Sequence, residues 1–169
     1  MGKTVKTVKK IISLLKTKNV VTIPQIVDEN KILNGKTAVI VGGTGGIGHA
    51  IAKDFLESGC KVIITGTNQK KMAAILDKFE DVNVKGMVLD LGKPGSFNDK
   101  VEEAVSLFGR VDILVNSGGV HSENIDYWKM SEAEYDRIMD INLKGAFFLC
   151  QAFGKYMRDN AIKGHILLI

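Results

Sequence analysis

Short apolar runs separated by amphipathic stretches dominate the chain from residue 36 onwards. The runs are rich in β-branched side chains and show no alternation of polar and apolar residues, which is typical of strands buried on both faces of a parallel sheet. They predict five strands: Thr37–Val41, Lys61–Thr65, Val84–Leu89, Val111–Val115 and His165–Ile169. Because parallel strands need crossover connections, the stretches between them are expected to be helical.

Apolar residues at helical spacing in these stretches predict four helices. The helices extend from Ile47 to Ser58, from Gln69 to Phe79, from Ser96 to Phe108 and from Ser131 to about Asn160. The last one begins with a capping box of Ser131 and Glu134. Alternating strands and helices with right-handed crossovers predict an α/β fold with a doubly wound parallel sheet. Ligands of such sheets bind beyond the carboxyl ends of the strands, where the strand order reverses.

A glycine-rich loop, Gly42–Gly48, joins the first strand to the first helix. A strand, a glycine turn and a helix in this order indicate a phosphate site, because glycines permit a tight turn and leave no Cβ between the backbone and a ligand. The N–H groups and the dipole of the helix N-terminus would then hold a pyrophosphate. The loop alone leaves three glycine registers open: Gly43, Gly45 and Gly48; Gly42, Gly46 and Gly48; or Gly42, Gly45 and Gly48.

Composition indicates a soluble globular protein of about one domain, with 169 residues of which 45% are hydrophobic and 25% charged. No apolar run approaches the ~20 residues that a membrane-spanning helix needs. Cys60 and Cys150 lie far apart in apolar surroundings, so we expect core thiols of a cytoplasmic protein and no disulfide. The histidines show no metal-ligand spacing, so no metal site is predicted.

The net charge of +4 comes from the first 18 residues, which carry six lysines and no acid. The remaining 17 basic and 19 acidic residues give no sign of a nucleic-acid surface. Apolar residues at helical spacing predict a basic amphipathic leader helix over residues 1–18. Packing on its own domain or on a sister subunit is favoured over docking to an acidic partner or a membrane surface. Residues 19–35 are predicted to connect it to a domain formed by residues 36–169.

The chain resembles the short-chain dehydrogenase/reductase family from Lys36 to Ile169. The resemblance rests on five segments that follow one another at the family's spacing: Gly42-x-x-x-Gly46-x-Gly48, Asp90-Leu91, Gly109–Gly119, Asn142–Gly145 and Gly164–Ile169. Asn116-Ser117-Gly118-Gly119 stands where the family has Asn-Asn-Ala-Gly. The resemblance selects the register of Gly42, Gly46 and Gly48, and it implies an NAD(P)-binding Rossmann fold that is incomplete after the fifth strand.

The resemblance also implies roles for single residues. The dinucleotide would be bound by Gly42, Thr44, Gly46, Ile47, Gly48, Thr67, Asn68, Asp90, Leu91, Asn116, Ser117, Gly118 and Gly119. Asn142 would be the catalytic asparagine, whose backbone helps to hold a proton-relay water. Judged on the residues alone, Asp90 could equally serve a turn, and Asn142 could be a helical asparagine bonded to a neighbouring turn. The loop from Val120 to Met130 either packs plainly or forms one wall of a substrate pocket.

The end of the second strand bears on the choice of cofactor. A carboxylate there would bind the ribose 2′-OH of NAD and repel the 2′-phosphate of NADP. The segment Thr65–Lys71 holds no acid, and Gly66 occupies the position at which NAD-preferring relatives carry Asp. Thr67 stands where many NADP-preferring relatives carry Arg. We therefore expect NADP(H) to be favoured over NAD(H).

The catalytic tyrosine and lysine of the family are missing from this sequence. No tyrosine is followed by lysine four residues later, and of the family's tetrad only Asn142 is matched. We expect the N-terminal, cofactor-binding part of a longer oxidoreductase that transfers hydride to or from a small carbonyl or alcohol substrate. The 169 residues alone would be inactive, and the full-length enzyme would be a homo-oligomer. The alternative is a non-catalytic dinucleotide-binding sensor or partner subunit.

Overall fold

A five-stranded parallel sheet forms the centre of the structure, a computed structural model that describes residues 31–79, 81–122 and 126–169. The strands are β1 (Thr37–Val41), β2 (Lys61–Gly66), β3 (Val84–Val88), β4 (Ile113–Asn116) and β5 (His165–Leu168), in the order β3-β2-β1-β4-β5. Each neighbouring pair is parallel. The predicted doubly wound fold is thus confirmed, and the strand order reverses between β1 and β4. The predicted leader helix and most of the predicted connector lie outside the described residues.

Helices cover both faces of the sheet. They are α1 (Gly46–Glu57), α2 (Gln69–Leu76), α3 (Phe97–Phe108), α4 (Glu132–Met139) and α5 (Ala146–Asp159), with 3₁₀ turns at Pro94–Ser96 and Tyr127–Lys129. On one face, α1 and α2 pack against alternate strand residues such as Ile40, Val62 and Ile64. On the other face, Phe97 of α3 and Phe153 of α5 join the intervening strand residues in a second core. Successive residues of β1, β2 and β4 therefore enter opposite cores, which explains the unbroken apolar runs of these strands.

The predicted helix from Ser131 to about Asn160 is interrupted. A π-helical turn, Asp140–Gly145, separates α4 from α5. Ser131 caps α4 by accepting a hydrogen bond from the backbone N–H of Glu134 at 3.2 Å, as predicted. The Glu134 carboxylate, however, binds the Arg137 guanidinium, with both N···O distances at 2.9 Å.

Other element boundaries differ from the prediction by a few residues. The α2 helix ends at Leu76, after which Lys78 and Phe79 donate backbone hydrogen bonds to the carbonyls three residues before them. The last predicted turn has therefore tightened into 3₁₀ geometry, as helix ends often do. Strand β4 begins at Ile113, and before it the backbone N–H of Val111 donates to the Tyr156 hydroxyl at 3.4 Å.

At the amino edge of the sheet, the buried carboxylate of Asp112 ties β1 to β4. It is 2% exposed and accepts hydrogen bonds from the Thr37 backbone N–H and from Arg110 Nε, each at 3.1 Å. The Lys36 ammonium lies 3.7 Å away. Cys60 is buried nearby on β2's side of this edge, whereas Cys150 is only half-buried, so the expectation of two core thiols holds fully for Cys60 alone.

The outer strand β5 exposes apolar side chains. Ile166 is 38% exposed and Leu168 61% exposed. Among the helices of the described residues, none combines the length and apolar character needed to cross a membrane.

Candidate functional site

Three adjoining cavities form one crevice along the carboxyl edge of the sheet. The loop cavity lies beside the glycine-rich loop and has a volume of about 200 Å³. The middle cavity, of about 400 Å³, lies beyond the end of β4, and the outer cavity, of about 640 Å³, lies beside α4. Gly119 and Val120 line all three, so the cavities run into one another. The crevice lies where the strand order reverses, as expected for this fold.

Most of the predicted site residues line this crevice. The loop cavity is lined by Gly42, Thr44, Thr67, Asp90, Leu91, Gly118 and Gly119. The middle cavity is lined by Asn116, Ser117, Gly118, Gly119 and Asn142. The remaining predicted residues, Gly46, Ile47, Gly48 and Asn68, line none of the three cavities.

The glycines of the loop serve different spatial requirements. Gly42 has a φ of +75°, and a Cβ on it would lie 2.7 Å from the Cα of Gly118. A Cβ on Gly48 would lie 2.5 Å from the Gly42 carbonyl oxygen. A Cβ on Gly46, by contrast, would meet no heavy atom within 4 Å. Gly42 and Gly48 are thus required by protein packing, whereas the space at Gly46 is open to a ligand.

The N-terminus of α1 is suited to an anion. Its N-cap residue, Gly45, provides no side-chain cap, and the first turn contains no acidic residue. The backbone N–H groups and the positive end of the helix dipole are therefore not offset by the protein's own carboxylates. Ile47, in the same turn, is 63% exposed.

The end of β4 is bonded to the end of β1. Ser117 donates two hydrogen bonds to the Val41 carbonyl, from its backbone N–H at 3.0 Å and from its hydroxyl at 2.8 Å. Asn116 is 5% exposed, and its Oδ1 accepts the N–H of Gly118 at 3.1 Å. These bonds hold the Gly118-Gly119 backbone at the crevice without a bulky side chain.

At the end of β2, no carboxylate faces the loop cavity. Gly66 is buried beneath Thr44, and a Cβ on Gly66 would lie 2.8 Å from the Thr44 hydroxyl oxygen. Thr67 lines the cavity. Asn68 instead caps α2, accepting the N–H of Lys71 at 2.9 Å.

Asp90 and Leu91 lie at the end of β3. The Asp90 carboxylate is 39% exposed, and its Oδ1 accepts the N–H of Gly92 at 2.9 Å in a local turn. Its Oδ2 lies 3.9 Å from the Lys93 ammonium. Asp90 thus serves a turn and also borders the cavity, while the buried Leu91 side chain packs against the core.

Asn142 lies in the π-helical turn and forms two hydrogen bonds with the backbone of Val120, which lines the crevice. Its Oδ1 accepts the Val120 N–H at 2.8 Å, and its Nδ2 donates to the Val120 carbonyl at 2.7 Å. π-helical turns inside α-helices are frequent at functional sites. Sequence reasoning missed the π-turn and the pairing of Asn142 with Val120, and the only signal was a poor helix former in mid-helix.

The outer cavity is bordered by polar and charged groups, including His121, Ser131 and Arg137. Arg137 donates to the His121 carbonyl at 3.1 Å, and its hydrogen bonds hold the pKa of the Glu134 carboxyl below its usual range. From the predicted wall between Val120 and Met130, both ends line the cavity. Tyr127 and Trp128 do not line it and are 78% and 89% exposed.

None of the three tyrosines of the chain lines the crevice. Tyr156 has its hydroxyl at Val111, before the start of β4 and therefore at the opposite edge of the sheet. Within the described ranges, no three His, Cys, Asp or Glu side chains are grouped as they would be around a metal ion.

Comparison with known proteins places this geometry among dehydrogenases. The family model for short chain dehydrogenase matches residues 36–169. A (2S)-[(R)-hydroxy(phenyl)methyl]succinyl-CoA dehydrogenase subunit, BbsD of Thauera aromatica, is 34% identical over 130 residues, covering 76% of this chain and 52% of the relative. The 3-oxoacyl-[acyl-carrier-protein] reductase FabG of Escherichia coli is 37% identical over 123 residues, covering 73% and 50%.

Solved structures agree with this picture. A short chain dehydrogenase from Bacillus anthracis superposes with a TM-score of 0.74 at 28% identity, covering 79% of this chain and 54% of that chain. The protein gox2181 superposes with a TM-score of 0.76 at 28% identity, covering 83% and 55%. The chain thus spans about half the length of the relatives that it matches.

Proposed function

The chain belongs to the short chain dehydrogenase family, and on that premise we propose that its crevice binds NADP(H) in an oxidoreductase acting on a small carbonyl or alcohol. The observation that carries the proposal is the uncapped N-terminus of α1 beside the open space at Gly46. Backbone N–H groups there would hold the pyrophosphate, because the described residues leave the space beside Gly46 open. The dinucleotide would supply or accept the hydride when bound.

The rest of the crevice divides between the two halves of the dinucleotide. Asp90 and Leu91 would border the adenine in the loop cavity, with Thr44 and Thr67 beside its ribose. Gly118 and Gly119 would let the backbone approach the cofactor closely. The nicotinamide would then lie in the middle cavity, next to Asn142, where the outer cavity gives a substrate access.

The preference for NADP(H) is supported by the missing acid at the end of β2. A carboxylate there would repel a 2′-phosphate, and the segment Thr65–Lys71 contains none. The test is a fluorescence titration of the folded chain with NADPH and with NADH. We expect tighter binding of NADPH in the wild type and a reversed preference in Gly66→Asp, with the Thr44 side chain turning aside for the new Cβ. Equal affinities in the wild type would overturn the preference, and absence of binding to either would overturn the cofactor site.

Activity of the 169 residues alone is a separate part of the proposal. Asn142 is in place at the crevice, but the tyrosine and lysine that exchange the proton in this family have no counterpart among these residues. The isolated chain should therefore bind the dinucleotide and not turn over carbonyl substrates. Measurable oxidation of NADPH in the presence of such substrates would show a proton donor elsewhere in the chain.

Self-association and location complete the proposal. Leu143 and Phe147 are about three-fifths exposed, at 60% and 61%, one turn apart near the start of α5. Exposed apolar patches commonly mark interfaces, so we propose a homo-oligomer for the full-length enzyme. Light scattering coupled to size exclusion would give the number of subunits, and a monomer at micromolar concentration would contradict it. The free thiols of Cys60 and Cys150 support a cytoplasmic location, because disulfides are rare there.

A further inference from the structure

Gly145, the last residue of the π-turn, packs so closely against the backbone of Leu91 that it has no room for a Cβ. A Cβ placed on Gly145 would overlap the carbonyl oxygen of Leu91 and lie 3.0 Å from its carbonyl carbon. Gly145 is buried and has φ −59° and ψ −48°, a conformation that any residue adopts in a helix. The backbone conformation therefore does not demand glycine, and the contact with Leu91 does.

This contact joins the two walls of the crevice. On one side, Leu91 follows Asp90 and borders the loop cavity. On the other side, the π-turn carries Asn142, which fixes both backbone polar groups of Val120. Gly92 also lies close to the π-turn, since a Cβ on it would be 3.8 Å from the Ile141 side chain. The two walls therefore adjoin at a second position.

We propose that Gly145 is a positioning residue for the dinucleotide crevice: its backbone contact with Leu91 sets the distance between the Asp90-Leu91 wall and the Asn142–Val120 wall. Gly145 itself lines none of the three cavities, so it acts only through these neighbours. The inference rests on the proposed function for its consequence on binding, and on the geometry alone for the coupling of the two walls.

The chain offers a matched control for Gly145→Ala. Gly154 lies in α5, and a Cβ on it would meet only the Ile166 side chain, at the ordinary distance of 3.7 Å. Gly154→Ala therefore makes the same chemical change in the same helical segment without a backbone collision. Alanine favours helix over glycine at both sites, so helix propensity cannot explain a difference between the variants.

The experiment compares backbone amide exchange and ligand affinity in both variants of the 169-residue chain. In Gly145→Ala we expect exchange of the Val120 and Gly92 amides to rise about tenfold or more, and NADPH affinity to fall by a similar factor, because overpacking displaces one wall. Gly154→Ala should stay within about twofold of the wild type. A purely structural role would raise exchange throughout both cores and leave the affinity of the folded fraction unchanged, which would overturn the proposal.

The exchange readout keeps the inference distinct from the proposed function. If the wild type fails to bind NADPH, the proposed function fails, while the amides of Val120 and Gly92 still decide whether the walls are coupled. If Gly145→Ala does not fold, native-state exchange of the wild type in rising denaturant replaces it. The two amides should then open together, and independent opening would overturn the coupling.

Discussion

The hydroxyl oxygen of Ser117 lies 2.7 Å from the point that a Cβ on Gly48 would occupy. The same hydroxyl donates to the Val41 carbonyl, so the end of β4, the end of β1 and the first turn of α1 meet in one contact. The glycine loop is therefore shaped by the fourth strand as much as by its own sequence. This separates Gly42 and Gly48, which the packing requires, from Gly46, whose surroundings are open.

Gly48→Ala should destabilise the fold. The new Cβ would meet the Gly42 carbonyl and the Ser117 hydroxyl, and overpacking of this kind typically costs about 1–3 kcal/mol. Urea unfolding followed by circular dichroism would measure the change in the free energy of unfolding. An unchanged midpoint would show that the loop relaxes freely.

Gly46→Val should leave the stability of the fold nearly unchanged and abolish cofactor binding. Its side chain would extend into open space, so the free energy of unfolding should remain within about 0.5 kcal/mol of the wild type. The branched side chain would occupy the proposed pyrophosphate position, and NADPH binding should be abolished. Retained affinity in the fluorescence titration would place the phosphate elsewhere along the loop.

Asn142→Ala should weaken binding of the whole dinucleotide more than binding of its adenosine half. Loss of both bonds to Val120 frees the backbone of the middle cavity. We expect NADPH affinity to fall about tenfold, which corresponds to the free energy of one hydrogen bond. Titration with NADPH and with adenosine 2′,5′-bisphosphate separates the two halves. Asn160→Ala is the control, since Asn160 bonds the Tyr156 carbonyl away from the crevice. Equal losses for both ligands would contradict the assignment of the middle cavity to the nicotinamide.

Asp112→Asn should destabilise the protein without affecting the cofactor. The substitution weakens the bonds to Thr37 and Arg110 at the amino edge of the sheet, at a cost of about 1–3 kcal/mol. Asp159→Asn, which weakens surface pairs with Lys155 and Arg158, should change stability much less, because solvent screens exposed pairs. Unfolding midpoints and NADPH affinities of both variants would be measured. A change in affinity for Asp112→Asn would link the two edges of the sheet.

Stability should fall in alkaline solution through Cys60. Burial raises the pKa of this thiol from 9.0 to about 12. Between these values the unfolded chain releases a proton that the folded chain retains, so the thiol's contribution is present below pH 9.0 and is lost as the pH rises towards 12. Cys60→Ser, which keeps a donor for the Lys36 carbonyl, should flatten this part of the stability profile. Identical alkaline slopes in urea unfolding would contradict the raised pKa.

The sheet was accessible to sequence reasoning because each strand carries its own signal. The runs around Ile40 and Ile63 are apolar on both faces, and that local pattern predicts buried strands of a parallel sheet. The sequence signals for the glycine loop and for Ser131 as the N-cap of α4 were also local. Strand boundaries were less accessible, because partners far away in sequence, such as the Tyr156 hydroxyl at Val111, leave no local signal.

The interior of the crevice was less accessible. The π-turn carries two long-range pairings, the bonds between Asn142 and Val120, 22 positions apart, and the contact of Gly145 with Leu91. Such pairings carry no periodic signal, so the segment was predicted as regular helix. Asp90 both forms a turn and lines the cavity, and only the structure shows that it does both. In sequence, an aspartate that stabilises a turn cannot be distinguished from one that binds a ligand.

The two bonds from Asn142 to Val120 have an evolutionary consequence. They involve only the backbone N–H and carbonyl of Val120, so any residue except proline at position 120 could form them. Yet position 120 borders all three cavities. Ligand preference could therefore drift at this position through single codon changes while the scaffold is inherited unaltered, which makes residue 120 a first choice for saturation mutagenesis.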